Sequence, residues 1–375
     1  MSDRRAVWAL GAMSGTSCDG VDAAMLLTDG TKVFETGKTG FRPYSDAERE
    51  VLRAALGQAE GPEIAAAAEV VELAHAELLS DFPDAEIVGF HGQTTLHQPD
   101  RALTVQIGDG QLLAEALERP VVWDFRTTDM ALGGQGAPLA PFYHFAMAKR
   151  IGCQRPVAMV NIGGVANITW IDPTATAADV PGALLAFDSG PGNAKIDDLV
   201  SARLGLGMDR DGALADAGTV DGDLLEDLLG RERYFARVPP KSLDRNDFGG
   251  WSRDVAGLST EDAVATLTAA TAGAIALGLE HCPTPPSAVH VMGGGRKNPA
   301  LMAMLEALSP CPVTAIDAAG FDGDMIEAQA FAYLAVRVSN GLPTSAPGTT
   351  GVAAPVGGGR LSKPGDIARM IGGAA

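Results

Sequence analysis

The feature that most constrains the fold is a pattern that occurs twice. Near the start, the apolar run Val7 to Leu10 leads into Gly11-Ala12-Met13-Ser14-Gly15-Thr16-Ser17-Cys18-Asp19-Gly20-Val21-Asp22, and a second apolar run, Val21 to Leu27, leads out. Later, Val157 to Ile162 leads into Gly163-Gly164-Val165-Ala166-Asn167 and then Ile168-Thr169-Trp170-Ile171. Each reads as two strands joined by a glycine-rich polar turn. Glycines let such a turn take positive φ and bring its backbone N–H groups close to a ligand. Converging N–H groups and hydroxyls make a nest for an anion, with phosphate the usual one. Asp19 and Asp22 would repel a bare phosphate, which implies a divalent cation beside it. A hairpin that merely turns a corner fits the same residues.

The elements after each pattern are similar too. In the first half, Thr31 to Thr36 completes a three-strand meander. Ser45 with Glu48 makes a capping box for one helix, and Pro62 to Leu79 is a second. Glu86 to Phe90 is a short buried strand ending in His91-Gly92-Gln93-Thr94-Thr95. A strand over Leu103 to Ile107 and a helix through Leu117 come next, then the strand Val121 to Phe125, ending in Arg126-Thr127-Thr128-Asp129. In the second half, Leu184 to Phe187 is the third strand, ending in Asp188-Ser189-Gly190-Pro191-Gly192-Asn193. The long helix Thr260 to His281 precedes the strand Ala288 to Met292, which ends in Gly293-Gly294-Gly295-Arg296-Lys297-Asn298.

The halves therefore read as a degenerate duplication in element order. The expected fold is α/β: two similar lobes, each a mixed sheet flanked by helices, with an interlobe cleft. The first lobe is expected over 1–132 plus 341–375 and the second over 133–340, with Ala131 to Leu139 as the crossing. Gly133, Gly134 and Gly136 there allow a hinge, or equally a binding loop. A further helix is expected over Asp324 to Val338, and a short one over Gly365 to Ile371.

Composition excludes several function classes. A chain of 375 residues that is 46% hydrophobic can fill more than one core. A net charge of −19 argues against nucleic acid or an anionic membrane as partner, because both need a basic footprint. Cys18, Cys153, Cys282 and Cys311 are scattered with no CxxC, so neither a zinc site nor a disulfide framework is indicated. Cys18 reads as a small filler or as a reactive thiol. No leader-like apolar stretch precedes the first turn and no run approaches a membrane span, so a cytoplasmic protein is expected. No GxxxxGK[ST] occurs, so any phosphate site is not a Walker A loop.

The order of turns resembles that of the actin, hexokinase and Hsp70 ATPases, and the motifs narrow the resemblance. GxMSGTSxDGxD (Gly11 to Asp22), HGQT (His91 to Thr94), DFRxxDxALGGQGAPL (Asp124 to Leu139) and NIGGVANIT (Asn161 to Thr169) are similar to those of the anhydro-N-acetylmuramic acid kinases. So are FDSGPGN (Phe187 to Asn193), PPKS (Pro239 to Ser242), GGGxxN (Gly293 to Asn298) and the stretch Glu327 to Ala332. The resemblance implies an ATP-dependent, Mg2+-assisted reaction of peptidoglycan recycling. Water opens the 1,6-anhydro bridge of 1,6-anhydro-N-acetylmuramic acid, and O6 takes the γ-phosphoryl group. A homodimer acting on a small amino sugar is implied too.

Carried over residue by residue, Asp188 matches the family's catalytic base. From the residues alone, an Asp bonding its own turn fits as well. ATP contacts are expected from Gly15, Thr16, Ser17, Cys18, Asp19, Gly20, Val21 and Asp22. Further ones are expected from Gly163, Gly164, Asn167, Gly190, Gly192, Gly293, Gly294, Gly295 and Asn298. Asp19 or Asp22 is expected near Mg2+ through water. Sugar contacts are expected from His91, Gln93, Arg126, Asp129 and Glu327. Arg126 either faces the lactyl carboxylate or holds its loop through Asp124 or Asp129, and Glu327 either faces the cleft or stands exposed on its helix. After Pro239-Pro240-Lys241-Ser242 the chain departs from the family pattern with Leu243-Asp244-Arg245-Asn246-Asp247-Phe248, leaving only Lys241 as a substrate-side candidate. Rival readings are a kinase for another anhydro sugar such as levoglucosan, a kinase for an ordinary sugar hydroxyl, and a nucleotide-switched binding protein.

Overall fold

The computed structural model describes residues 4–366 and divides the chain into two compact units. The first runs through Arg150 and includes Ala177–Pro181 and the chain from Met325 on; the second is Ile151–Thr176 with Gly182–Asp324.

In the first unit the strands are β1 (Val7–Ser14), β2 (Gly20–Thr28), β3 (Val33–Pro43), β4 (Ile87–Gln98), β5 (Leu103–Ile107) and β6 (Val121–Trp123). The second unit holds β7 (Val157–Ile162), β8 (Val165–Ile171), β9 (Leu184–Pro191), β10 (Val289–Met292) and β11 (Val313–Ala315). The last strand, β12 (Arg360–Ser362), returns to the first sheet. The first sheet has the order β12-β6-β4-β1-β2-β3, with β5 on β4, and the second the order β11-β10-β7-β8-β9. In both, three strands form an antiparallel meander, a fourth pairs in parallel with the meander's first strand, and a fifth pairs in parallel with the fourth. The duplication is thus one of topology.

Local chemistry explains the element ends. Ser45 accepts from Glu48 N–H and the Glu48 carboxylate accepts from Ser45 N–H, completing the capping box on the helix Asp46–Ala55. Asp109 caps the helix Gly110–Leu117. β4 does not stop at His91 as expected: Gly92, at φ 73°, redirects it, and it continues to Gln98 against β5. β9 likewise runs through Asp188 to Pro191, with an irregularity where Ala166 and Asn167 face it. β6 ends earlier than expected, because Asp124 takes a φ of 53°.

The unit boundaries lie at 150/151 and 324/325, away from the expected 132/133 and 340/341. The helix Ile326–Ser339 packs backbone to backbone on the first sheet. A Cβ at Gly11 would lie 1.8 Å from the carbonyl oxygen of Ala328, and one at Gly89 2.1 Å from that of Phe331. The helix Pro141–Ile151 joins the same unit, where Tyr143 donates to Gln329. The stretch 133–136 is not a crossing either: Gly134 N–H reaches Asp129 O (2.9 Å) and Gln135 N–H reaches Thr350 O (2.8 Å), tying it to the first unit. The helix Thr260–Leu279 is long and apolar enough to cross a membrane, contrary to expectation, but most of it is buried within the second unit. The expected helix over 365–371 lies largely outside the described residues.

Candidate active site

In the second unit, neighbouring strands place three polar residues side by side. Asn161 on β7 is the register partner of Asn167 on β8, and Asn167 that of Asp188 on β9. Directly opposed residues share one face of a sheet, so these side chains form a row beside the glycine-rich ends. The carboxylate of Asp188 accepts a hydrogen bond from the backbone N–H of Leu243 (2.8 Å). Burial pushes its pKa up to about 6, with the Leu243 N–H opposing the shift. The segment 234–243 also grips the backbone of Asp188: the Tyr234 hydroxyl donates to its carbonyl (2.7 Å), and its N–H donates to Lys241 O (3.1 Å).

Lys241, the substrate-side candidate, is engaged by its own loop. It is 3% exposed, its ammonium donates to the carbonyls of Tyr234 and Phe235 (3.3 Å each), and it lies over the Tyr234 ring. Burial lowers its pKa to about 8. The loop that departs from the family pattern therefore serves Asp188 directly, through Leu243. A backbone donor leaves no trace in residue identity.

Three expected glycine clusters meet in this unit. The carbonyls of Gly163 and Gly164 accept from Asn193, Gly192 and Ala194 N–H. A Cβ at Gly192 would sit 2.2 Å from the carbonyl oxygen of Gly163, and one at Gly293 would sit 2.3 Å from Asn161 Oδ1. Only glycine permits these approaches. Gly190 is packed against Ala274, whereas Gly294 lies at the edge of this cluster. Gly295 fits against the Ile162 side chain. Asn298, expected at the nucleotide, instead caps the helix Pro299–Leu308, its side chain accepting from Leu301 N–H (3.0 Å).

In the first unit, the turn after β1 presents Thr16, Ser17 and Asp19 to solvent, while Cys18 turns its thiol into the core at φ 55°. Ser17 Oγ and Gly20 N–H both donate to Asp19 Oδ1. Val21 is buried and Asp22 is half-buried on β2. Among the described residues no group of three or more His, Cys, Asp or Glu side chains is arranged to hold a metal. Asp19 and Asp22 suit a metal held mostly by phosphate and water, as Mg2+ commonly is.

Arg126 forms the second polar centre. Its Nε and Nη2 approach His91 Nε2 (3.2 and 2.9 Å), and Nη1 donates to Gly136 O (2.6 Å). Because arginine only donates, His91 Nε2 must be unprotonated, so Nδ1–H donates to Gly92 O (2.9 Å). Burial and the neighbouring guanidinium hold the His91 pKa well below its ordinary value, consistent with that tautomer. Burial lowers Arg126 to about 10, with Glu327 and Asp129 opposing the shift. Glu327 stands exposed in the first turn of the helix Ile326–Ser339. A recess of about 230 Å³ opens beside this centre, lined among others by His91, Gln106, Trp123, Asp124 and Thr127.

Two expected sugar contacts have other work. Asp129 is 1% exposed and accepts from Gly136 N–H (2.7 Å), Thr350 Oγ1 (2.7 Å) and Ser345 Oγ. Gln93 is fully buried, and its amide is engaged by Gly15 O and Ser14 Oγ. Residue type alone shows neither engagement. Asn161, within the NIGGVANIT motif, is the residue of the polar row that sequence reasoning did not single out.

The repeated sheet order defines an ATPase fold of the actin, hexokinase and Hsp70 class. A family model described as anhydro-N-acetylmuramic acid kinase matches residues 7–362, and the chain belongs to that family. It is 59% identical over 358 residues to an anhydro-N-acetylmuramic acid kinase of Ruegeria sp. (strain TM1040), covering 96% of this chain and 95% of that protein. It is 60% identical over 363 residues to one from Cereibacter sphaeroides, covering 96% and 97%. A ROK family glucokinase from Streptomyces griseus, solved with glucose and AMPPNP, overlaps 88% of this chain and 99% of its own at 16% identity and a TM-score of 0.40. The class rests on the sheet order, not on that overlap.

Proposed function

We propose that this chain is an ATP-dependent kinase that hydrolytically opens 1,6-anhydro-N-acetylmuramic acid and phosphorylates O6, giving N-acetylmuramic acid 6-phosphate. Family membership supports the activity, and the observation that carries the mechanism is Asp188, a carboxylate raised to about 6 with a single backbone donor. A base of that pKa is largely ionised at neutral pH yet basic enough to take a proton. Asp188 removes a proton from water as its oxygen bonds to C1. The C1–O6 bond breaks, O6 bonds to the γ-phosphorus, and the bond from that phosphorus to the bridging oxygen breaks, releasing ADP.

The turn Gly15 to Asp22 of the first unit offers N–H and hydroxyl donors suited to nucleotide phosphates, and within the second unit Gly163, Gly164 and Asn167 are the further nucleotide contacts. Gly190, Gly192, Gly293 and Gly295 let the turns of that neighbourhood pack closely, which leaves Gly294 at its edge as the glycine nearest open space for nucleotide. Mg2+, held near Asp19 and Asp22 through water, would supply charge neutralisation on the phosphates. Arg126, poised by His91, faces the lactyl carboxylate, and Glu327 lies on the sugar side. The Trp123 recess gives that side an aromatic wall among polar groups, the lining common to small-molecule sites. The protein works in the cytoplasm as a homodimer.

The test is turnover of the sugar with ATP and Mg2+ in H2¹⁸O, with mass spectrometry of the product at early times. Label at C1 with phosphate on O6 is expected. Turnover of levoglucosan or of an ordinary sugar instead would overturn the substrate, and unlabelled product would overturn the hydrolytic step.

A further inference from the structure

The phosphate turn of the first unit is held from beneath by a buried chain of hydrogen bonds whose polarity the residue types dictate. Gln93 Nε2 lies 3.0 Å from Gly15 O, an acceptor, so the amide must present its nitrogen there and its oxygen to Ser14. Ser14 has one hydroxyl proton, and it goes to Gln93 Oε1. The hydroxyl of Tyr44, 3.0 Å from Ser14 Oγ, must therefore be the donor of that pair. The order Tyr44 to Ser14 to Gln93 to Gly15 admits no reversal. Tyr44 also reaches the far end of the turn, where its backbone N–H donates to Asp19 O (2.9 Å). Tyr44, Ser14 and Gln93 are at most 1% exposed, so bulk water does not compete for these bonds. Burial pushes the Tyr44 phenol up to about 12, which keeps it a donor throughout the working range.

We propose that Tyr44 is a positioning residue for nucleotide binding, closing both ends of the turn Gly15 to Asp19 so that its donors are set before ATP arrives. The inference rests on the phosphate reading of that turn. Preset donors stabilise charge without reorganising, so slackening the turn should weaken ATP and leave the sugar untouched.

Tyr44→Phe removes one hydroxyl and keeps the ring. Expected are a rise of about 5–30-fold in the Kd of the non-hydrolysable analogue AMPPNP, measured by calorimetry on the full chain, and a similar rise in KM for ATP. KM for the anhydro sugar should stay within twofold. Ser14→Ala breaks the same chain at its middle, and Tyr44→Phe added to it should cost nothing further. Unchanged AMPPNP affinity in Tyr44→Phe, or equal weakening of ATP and sugar, would overturn the role of Tyr44. Failure of the unmodified chain to bind AMPPNP would overturn the phosphate reading itself, a distinguishable result.

Discussion

Asp129 of the first unit and Asp188 of the second both sit among polar groups at the ends of sheet strands or just beyond them. Asp129 accepts from three donors, two of them hydroxyls from the distant segment Ser345 to Thr350, and is sealed from solvent. Asp188 accepts from one backbone N–H, keeps partial access to solvent, and has its pKa raised to about 6. A carboxylate whose lone pairs are filled holds structure; one that is desolvated and left short of donors is held ready for a proton. The same contrast separates Lys241 and Gln93, engaged on all sides, from Arg126, whose fork retains N–H groups beyond those given to His91 and Gly136.

The largest effect expected is on turnover. Asp188→Asn should lower kcat about 10²–10⁴-fold, measured in the coupled kinase assay. Asp129→Ala should act on stability instead. Each orphaned buried donor costs about 1–3 kcal/mol, so its thermal midpoint should fall by far more than that of Asp188→Asn, as calorimetry would register.

A smaller and opposite effect is expected for stability in Asp188→Asn. The folded pKa of Asp188, about 6, lies above the ordinary 3.8. Between those values the folded chain holds more protons than the unfolded one, so stability is lost as pH rises through that window. Above it, Asn at this position should make the protein more stable by about 1–3 kcal/mol, visible in denaturant unfolding at pH 8 and absent at pH 4. Lower stability of the variant at pH 8 would contradict the desolvated state of Asp188. The smallest change is Tyr234→Phe, which frees the Asp188 carbonyl. A loss of about 2–10-fold in kcat with KM for ATP unchanged is expected, and a change in KM alone would assign Tyr234 elsewhere.

Much of this fold is visible in the residues. The doubled hairpin pattern, the capping box at Ser45 and Glu48, and the cap at Asp109 act locally, so sequence reports them. What sequence conceals are engagements formed across long separations. Asp129 meets Ser345 and Thr350 more than 200 residues away, and Asp188 depends on an N–H at Leu243 whose side chain is irrelevant to the bond. Strand ends mislead for a related reason. His91 and Asp188 look like terminal residues because glycines come soon after them, yet β4 and β9 continue past both. The boundary near residue 132 misleads because its glycines serve close packing and tight turns around Asp129 instead of a hinge.

The most direct test of the central claim is the pH dependence of kcat/KM, which reports the ionisation of the free enzyme. An acid limb near pH 6, with activity rising as Asp188 loses its proton, is the predicted result, and the residual activity of Asp188→Asn should be flat across the same range. A profile without a limb between pH 5 and 7, or a limb that survives in Asp188→Asn, would contradict Asp188 as the base.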